Sequence, residues 1–519
     1  MMLVAFPPLI LGSILLEVER AFGLPFFDPT RGGDPLLWQH LFWLFGHPDV
    51  YIIFLPMAAV LSTIIPVFAG RPLVGYRASV VAIIAVGFLS FGLWVHHMFT
   101  VGIPHLALAF FSAASAILGI PTALQIFAWL ATLAHGKPRW SLPMLYVFGF
   151  FFVFVCGGLT GIMLAMVPFD WQAHDTYFVV AHLHYVVAGA LAFPMLAGMY
   201  YWLPLLTGRT TVRGLSTLAF WLVFVGFNLT FFMMHLTGLM GMPRRVYTFY
   251  GDEGWNWLNL LSSVGSFIMT IGFALVVIDL IVRLRYGRRV RRDPWKAATL
   301  EWAMPIPPQP YAFASIPHFD TATERAAPGD TALSLARGEG YLGFTRTGWP
   351  EALGVHITSG KPEQLIVLPQ PTYLPLVTAI ATAAVVLAIL FKFYLLAILV
   401  TVVIAGLFIY GGQSAGHTRD YGPLPIGRGI SVPPHTEVAG TPPWMAMVCT
   451  LVADGTLFAS LVFGTFYLWL AAPNWPSAVA FNPNRILALG VLAGLVVAAM
   501  AARRALRALV TGGKPPGWI

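Results

Sequence analysis

The chain has 519 residues, 58% of them hydrophobic and 10% charged, with a net charge of +8. This composition excludes an ordinary soluble globule and gives an all-α polytopic membrane protein. Lys and Arg fall mainly in short connectors and in a run after the first hydrophobic block, so the basic excess reports topology and excludes a nucleic-acid face.

The opening MMLVAFPPLILGSILLEVER lacks a basic n-region and a small-residue cleavage site, and it reads as a transmembrane helix. Apolar runs long enough to span follow at about 40–68, 79–102, 106–133, 142–167, 176–205, 215–240 and 257–284. Arg71 with Arg77, Lys137 with Arg139, and Arg209 with Arg213 lie in alternate connectors without acids, which puts those loops in the cytoplasm. The intervening connectors hold Glu17, Glu19, Asp28 and Asp34, then Asp170 and Asp175, then Asp252 and Glu253, and face outward. Arg283, Arg285, Arg288, Arg289, Arg291 and Arg292 return the chain to the cytoplasm. Residues 1–292 thus form one helix bundle. A polar, Pro/Gly-rich linker outside the membrane is expected over 293–372. A second membrane region covers 373–519, with a helical hairpin at about 374–391 and 393–411 and spans at 443–471 and 485–510, about twelve helices in all. Asp454 is the only acid in its span, and a lipid-headgroup or inter-helix contact is its favoured use.

Ionisable groups inside these spans are costly and mark function. Only Cys156 and Cys449 are present, so any metal must rest on histidine and oxygen ligands. In HDTYFVVAHLHYV, His182 and His184 are two residues apart, roughly 200° around a helix, so one helix can hold a separate cofactor on each side. His174 and Asp175, where this segment meets water, suit a hard divalent metal. In GHPDVY, His47 and Tyr51 share a face four residues apart. In WVHHMFTVG, adjacent His96 and His97 can converge on a metal if the helix is distorted near Gly102 and Pro104. Three neutral imidazoles suit copper or zinc. Their depth among apolar helices, without an aqueous cleft or carboxylate base, favours redox chemistry over hydrolysis.

These motifs carry a resemblance. HPDVY, WVHHMFTVG, HDTYFVVAHLHYV, GMPRR and TLEWAMPIPP are similar to the motifs of subunit I of the heme–copper oxygen reductases, the cytochrome c oxidase group specifically, over about 17–317. From 443, WMAMVCTLVADGTLFASLVFGTFYLW resembles a subunit III helix, which implies a fusion. The resemblance implies that His47, His96 and His97 hold copper B, with Tyr51 cross-linked to His47. It makes His182 the ligand of a high-spin heme and His184 the ligand of a low-spin heme, both a-type, and assigns magnesium to His174 and Asp175. Arg244 and Arg245 would pair with heme propionates, since a guanidinium binds carboxylates bidentately. Trp43 and Tyr177 are heme-environment candidates of low weight.

The implied activity is that of an inner (plasma) membrane terminal oxidase. It would reduce oxygen to water with electrons from cytochrome c delivered through subunit II and its copper centre, coupled to proton uptake and pumping. A quinol oxidase of the same superfamily, or a redox-inactive transport or assembly subunit, are the alternatives.

The sequence departs from the family in three ways. Asp49 stands where relatives have a Glu ending one proton pathway. Gln125 replaces the Lys of the second, and because an amide cannot titrate, that route is either absent or carried by water, Thr122 and Ser62. The chain begins at the family's fifth helix, so the bundle corresponds to helices five to twelve. Either a further chain supplies the missing N-terminal helices or the sequence is an N-terminally truncated fragment, and the enzyme is expected to be inactive without those helices and the other subunits.

Overall fold

The computed structural model describes residues 1–211, 213–290, 293–297, 299–302, 306, 315–318, 333–335, 337–343, 347–356, 359–368, 371–415, 421–434, 442–475 and 485–510. Arg291, Arg292 and much of the expected linker lie outside the described residues. The helices are α1 (Met2–Phe22), α2 (Pro35–Ala69), α3 (Tyr76–Leu89), α4 (His105–Ala134), α5 (Leu142–Ala165), α6 (Val167–Ala173), α7 (Tyr177–Val187), α8 (Phe193–Thr207), α9 (Arg213–Leu239) and α10 (Asn256–Tyr286). After them come α11 (Leu374–Leu390), α12 (Tyr394–Ala415), α13 (Pro442–Ala471) and α14 (Arg485–Val510). Ten helical segments among the described residues are long and apolar enough to cross a membrane, and Tyr76–Gly92 and Leu374–Leu390 are shorter apolar helices.

By contacts the chain forms two units, one of residues 1–10 and 40–458, the other of 11–39 and 459–519. In the second, the Glu19 carboxylate accepts from the amides of Phe26 and Phe27, both at 2.7 Å, and folds the loop after α1 back on its helix. Tyr467 donates to Asp34 at 3.2 Å in the same unit.

The first unit holds the site. Its core is aromatic and aliphatic, with Phe54, Phe150, Phe154, Tyr185, Phe193 and Phe227 among its buried members. Lipid offers helices no hydrophobic drive to associate, so close backbone approach at small residues has to supply the packing. Gly157 of α5 is such a point: a Cβ there would lie 2.9 Å from the Tyr185 backbone of α7. The helices α7 and α8 form one span, interrupted by a π-helical turn at Ala188–Ala192 just after the histidines. Extra-residue turns of this kind re-aim side chains and recur at functional sites.

The connectors meet as the charge alternation requires. At the arginine-rich end, Arg71 donates to the His135 carbonyl (2.8 Å) and Arg139 to the carbonyls of Val67 (2.9 Å) and Trp295 (2.6 Å). Arg209 donates to the Gly287 carbonyl at 3.0 Å. At the other end the loop before α7 is stitched to the GMPRR loop: Tyr177 N donates to Met242 O (2.9 Å) and Arg244 N to Asp175 O (2.8 Å).

Three expectations need correction. The third span does not run helically to 102: α3 ends at Leu89 and 3-10 turns cover Ser90–Gly92 and Trp94–Met98, so the distortion precedes Gly102 and Pro104. Arg283 is not part of an aqueous arginine cluster, since it is 0% exposed inside the bundle. The expected linker is not simply a connector. Trp295, Ala297, Trp302 and Ile306 pack into the bundle core, with the Trp302 indole donating to Tyr201 Oη at 2.9 Å. Further on, β1 (Glu351–Val355) pairs antiparallel with β2 (Pro362–Val367), and β3 (Leu424–Gly427) pairs antiparallel with β4 (Ile430–Val432). The amide of Leu365 donates to Pro433 O at 3.0 Å, so the two hairpins, which flank the α11–α12 pair in sequence, join around buried Leu365 and Ile426. Asp454 is exposed on α13.

Candidate metal centre

Three imidazoles converge from two segments. His47 comes from α2, and His96 and His97 from the 3-10 turn Trp94–Met98, where the chain leaves regular α-helical geometry. His47 Nδ1 lies 3.4 Å from His97 Nε2, and His96 Nε2 lies 3.0 Å from His97 Nε2. Two nitrogens each about 2.0 Å from a shared ion, at about 95–115°, stand about 3.0–3.4 Å apart. The spacing fits a single bound metal. No other group of three histidine, cysteine or carboxylate donors converges in this way among the described residues.

The surroundings fix which nitrogens can bind. Ser115 of α4 donates its hydroxyl to the Phe111 carbonyl at 2.6 Å and lies 2.8 Å from His96 Nδ1. With the hydroxyl proton committed, the oxygen must accept from Nδ1–H, leaving the lone pair of His96 on Nε2 inside the cluster. Trp43 stacks on His97 with centroids 3.9 Å apart and planes at 9°, so this aromatic lies against the third imidazole and holds its plane. Tyr51, one turn from His47, has its ring centroid 5.0 Å away. His47 Nε2, the nitrogen outside the cluster, is buried without a hydrogen-bond partner among the described residues. Asp49 stands half-buried on α2 and is not one of the converging donors.

The two histidines of α7 point to different helices. His182 Nδ1 lies 3.0 Å from the Gly157 carbonyl and 3.1 Å from Thr160 Oγ1, both on α5. His184 stacks on Phe231 of α9, centroids 4.0 Å apart at 15°, and its Nδ1 lies 2.7 Å from the Val180 carbonyl. A carbonyl only accepts, so both rings carry the proton on Nδ1 and keep Nε2 free as a ligand. Opposite faces, each with an available Nε2, suit two separate axial ligations. His182 is near enough to interact electrostatically with all three imidazoles of the cluster.

At the outer end, His174 Nδ1 lies 3.0 Å from Asp170 Oδ2. That contact, more than the opposing effect of burial, raises the His174 pKa. Asp175, with φ +55°, faces Arg244 Nε at 2.6 Å as an ion pair whose geometry does not make a linear hydrogen bond. His174 and Asp175 therefore each have a protein partner and do not converge. Arg245 is exposed, with φ +67°. Of the proton-route candidates, Ser62 accepts from the Trp129 indole at 3.0 Å and Thr122 bonds its own helix at Leu118 O. Gln125 is 1% exposed, and neither end of its amide has a partner among the described residues.

Residues the sequence did not single out include Ser115, Thr160, Asp170 and His235. His235 of α9 is buried against Phe178 and Tyr185 of α7. Ser115, Thr160 and His235 act across helix–helix contacts and belong to no spaced motif, whereas Asp170 stands four residues before its partner His174, a spacing that sequence could have flagged.

A family model described as cytochrome C and quinol oxidase polypeptide I matches residues 1–268. The chain is 47% identical over 318 residues to cytochrome c oxidase subunit 1 of Alkalihalophilus pseudofirmus, covering 61% of this chain and 51% of the relative. To cytochrome c oxidase subunit 1 of Bacillus subtilis it is 46% identical over 318 residues, covering 61% and 51%. To quinol oxidase subunit 1 of Bacillus subtilis it is 43% identical over 317 residues, covering 60% and 49%. The chain spans about half the length of the curated relatives it matches.

Proposed function

The chain belongs to the cytochrome c and quinol oxidase polypeptide I family, subunit I of the heme–copper oxidases, and we propose that it holds the oxygen-reducing centre of a plasma-membrane terminal oxidase that draws its electrons from cytochrome c. Heme and copper are the family's cofactors. The observation that carries the proposal is the convergence of His47, His96 and His97 on one point, with His182 on the neighbouring helix.

In this reading His47 Nδ1, His96 Nε2 and His97 Nε2 hold the copper, and His182 and His184 offer Nε2 to a high-spin and a low-spin heme. Bound there, copper and heme iron would supply the electrons for the reduction of oxygen to water. The chain's own residues do the positioning. Ser115 fixes the His96 tautomer, Trp43 fixes the plane of His97, and Gly157 with Thr160 fixes His182. Tyr51 holds a proton on its phenol beside His47, to which the family resemblance would cross-link it. Buried Val95, Met98 and Leu93 exclude bulk water from the segment that carries the paired histidines.

The finer assignments belong to the same proposal. Protons arrive from the arginine-rich side by way of Asp49 or of water, Ser62 and Thr122 past the non-titrating Gln125, and pumping accompanies turnover. Arg244 and Arg245 bind heme propionates, with Arg244 leaving Asp175 to do so. The magnesium that the resemblance implies at His174 and Asp175 would require both to leave their present partners, Asp170 and Arg244, beside a subunit II that delivers the electrons. Residues from 443 on serve as a subunit III-like region.

Oxygen consumption by the complex purified with its partners, with reduced cytochrome c and with a quinol supplied separately, tests the donor. Turnover with cytochrome c supports the proposal, and turnover with quinol alone overturns it in favour of the quinol oxidase reading.

A further inference from the structure

A second buried polar set lies at the arginine-rich end of the bundle, apart from the metal centre. Asp279 and Arg283, one turn apart on α10, are both 0% exposed. Tyr146 of α5 and Tyr200 of α8 are also fully buried, and their rings stack with centroids 5.5 Å apart at 15°. The guanidinium carbon of Arg283 stands 5.7 Å from the centre of the Tyr200 ring. No hydrogen bond of good geometry reaches either carboxylate oxygen of Asp279, any of the three guanidinium nitrogens of Arg283 or either phenol oxygen among the described residues, although the Tyr200 hydroxyl stands close to both Asp279 and Tyr146.

Such a set does not stand dry. An uncompensated charge inside a bilayer-spanning bundle is costly for either sign, and a buried phenol finds a partner as a rule. Residues four apart share a helix face, yet these two side chains make no direct ion pair; each charge is therefore satisfied through something between them. The chemistry of the four groups selects it. A bare cation is repelled by Arg283 and a bare anion by Asp279. The carboxylate requires donors, the guanidinium requires acceptors, and the phenols take either. A small neutral molecule with both functions meets all of these, and water is the one that a polar site of this size holds.

We propose that Asp279, Arg283, Tyr146 and Tyr200 form a buried water-binding site where α5, α8 and α10 meet, in which bound water bridges the carboxylate to the guanidinium and the phenols. The bridge ties α10 to α5 and α8. It sits one turn before the C-terminal end of α10, since the Arg283 carbonyl accepts from the Gly287 amide at 2.9 Å and Gly287 is in turn held by Arg209. The inference stands on these residues alone and does not rest on the redox reading.

The test uses the full chain in its purified membrane complex, as wild type, D279N, R283Q and the double variant. Infrared spectra recorded in ordinary and oxygen-18 water are expected to show an isotope-sensitive water O–H band in the wild type that is lost in D279N. Melting temperature is expected to fall in each single variant and to recover in the double variant, because removing both charges leaves neither unbridged. High-resolution density for the wild type, which needs no variant to fold, is expected to show ordered water within hydrogen-bond reach of Asp279 and Arg283. An identical isotope-sensitive spectrum in D279N, strictly additive losses in the double variant, or density with the two side chains in direct contact and no water between them would each overturn the proposal.

Discussion

Nδ1 of His182 lies 3.0 Å from the carbonyl oxygen of Gly157, and because that oxygen can only accept, the imidazole is committed to leaving Nε2 bare. The same logic operates at His184 through the Val180 carbonyl and at His96 through Ser115. The protein sets three imidazole tautomers by giving each Nδ1–H an acceptor on its own backbone or a hydroxyl, an arrangement that raises metal affinity where such rings serve as ligands.

Ser115→Ala removes the acceptor for His96 Nδ1–H. Copper affinity is expected to fall about 10–100-fold, the usual effect of losing such a partner. Ser115→Thr, which keeps the hydroxyl, is expected to retain it. Copper retained by each variant after dialysis against a graded chelator series distinguishes the two.

Gly161→Ala puts a Cβ 2.8 Å from His182 Cε1, whereas a Cβ at Gly158 meets nothing within 4 Å. Overpacking of this kind costs about 1–3 kcal/mol. The prediction is that Gly161→Ala displaces His182 and weakens the high-spin heme absorption while Gly158→Ala leaves the spectrum unchanged. Equal spectra in the two variants contradict the placement of His182 against α5.

The His174 pKa is raised above 6.5, chiefly by its hydrogen bond to Asp170. A raised folded-state value means that protonated His174 stabilises the fold fully below pH 6.5 and that this contribution is lost as pH rises through the folded value. Melting temperature should therefore decline above neutrality in the wild type more than in Asp170→Asn, where the raising partner is gone. Parallel pH profiles for the two proteins count against the pair.

Trp302 is 2% exposed, packs in the bundle core and donates to Tyr201 Oη. Trp302→Ala is expected to cost about 3–5 kcal/mol, as large-to-small changes in a core do. Thermal melting of the purified complex reads this loss, and copper and heme content per assembled chain should stay at the wild-type ratio. Unchanged melting means that the segment after α10 is not docked.

Much of this arrangement was legible in the residues. The 100° step per helical residue already sends His182 and His184 to different neighbours, and α5 and α9 are those neighbours. Adjacent His96 and His97 announced a local break in the helix, although the break falls earlier, at 90–98, because nothing marks a 3-10 turn within an apolar run. Ser115, Thr160 and Gly157 were silent. A hydroxyl or carbonyl that serves a histidine on another helix leaves no periodic trace in sequence. Arg283 looked like one more cytoplasmic arginine, and only its packing against Tyr200 reveals a buried charge. Trp302 lay in the quoted TLEWAMPIPP motif but, like Trp295, stood among prolines and charges that read as a connector, and strands as short as β3 and β4 carry too few residues for alternation to show.

The most direct test of the account is the copper-to-heme ratio of the complex purified with its partners, measured by elemental analysis for the wild type and for His97→Asn. The account predicts copper bound to the wild type, lost in the variant, with heme iron retained through His182 and His184. A wild type without copper, or a variant that keeps it, contradicts the assignment of His47, His96 and His97 as one metal centre.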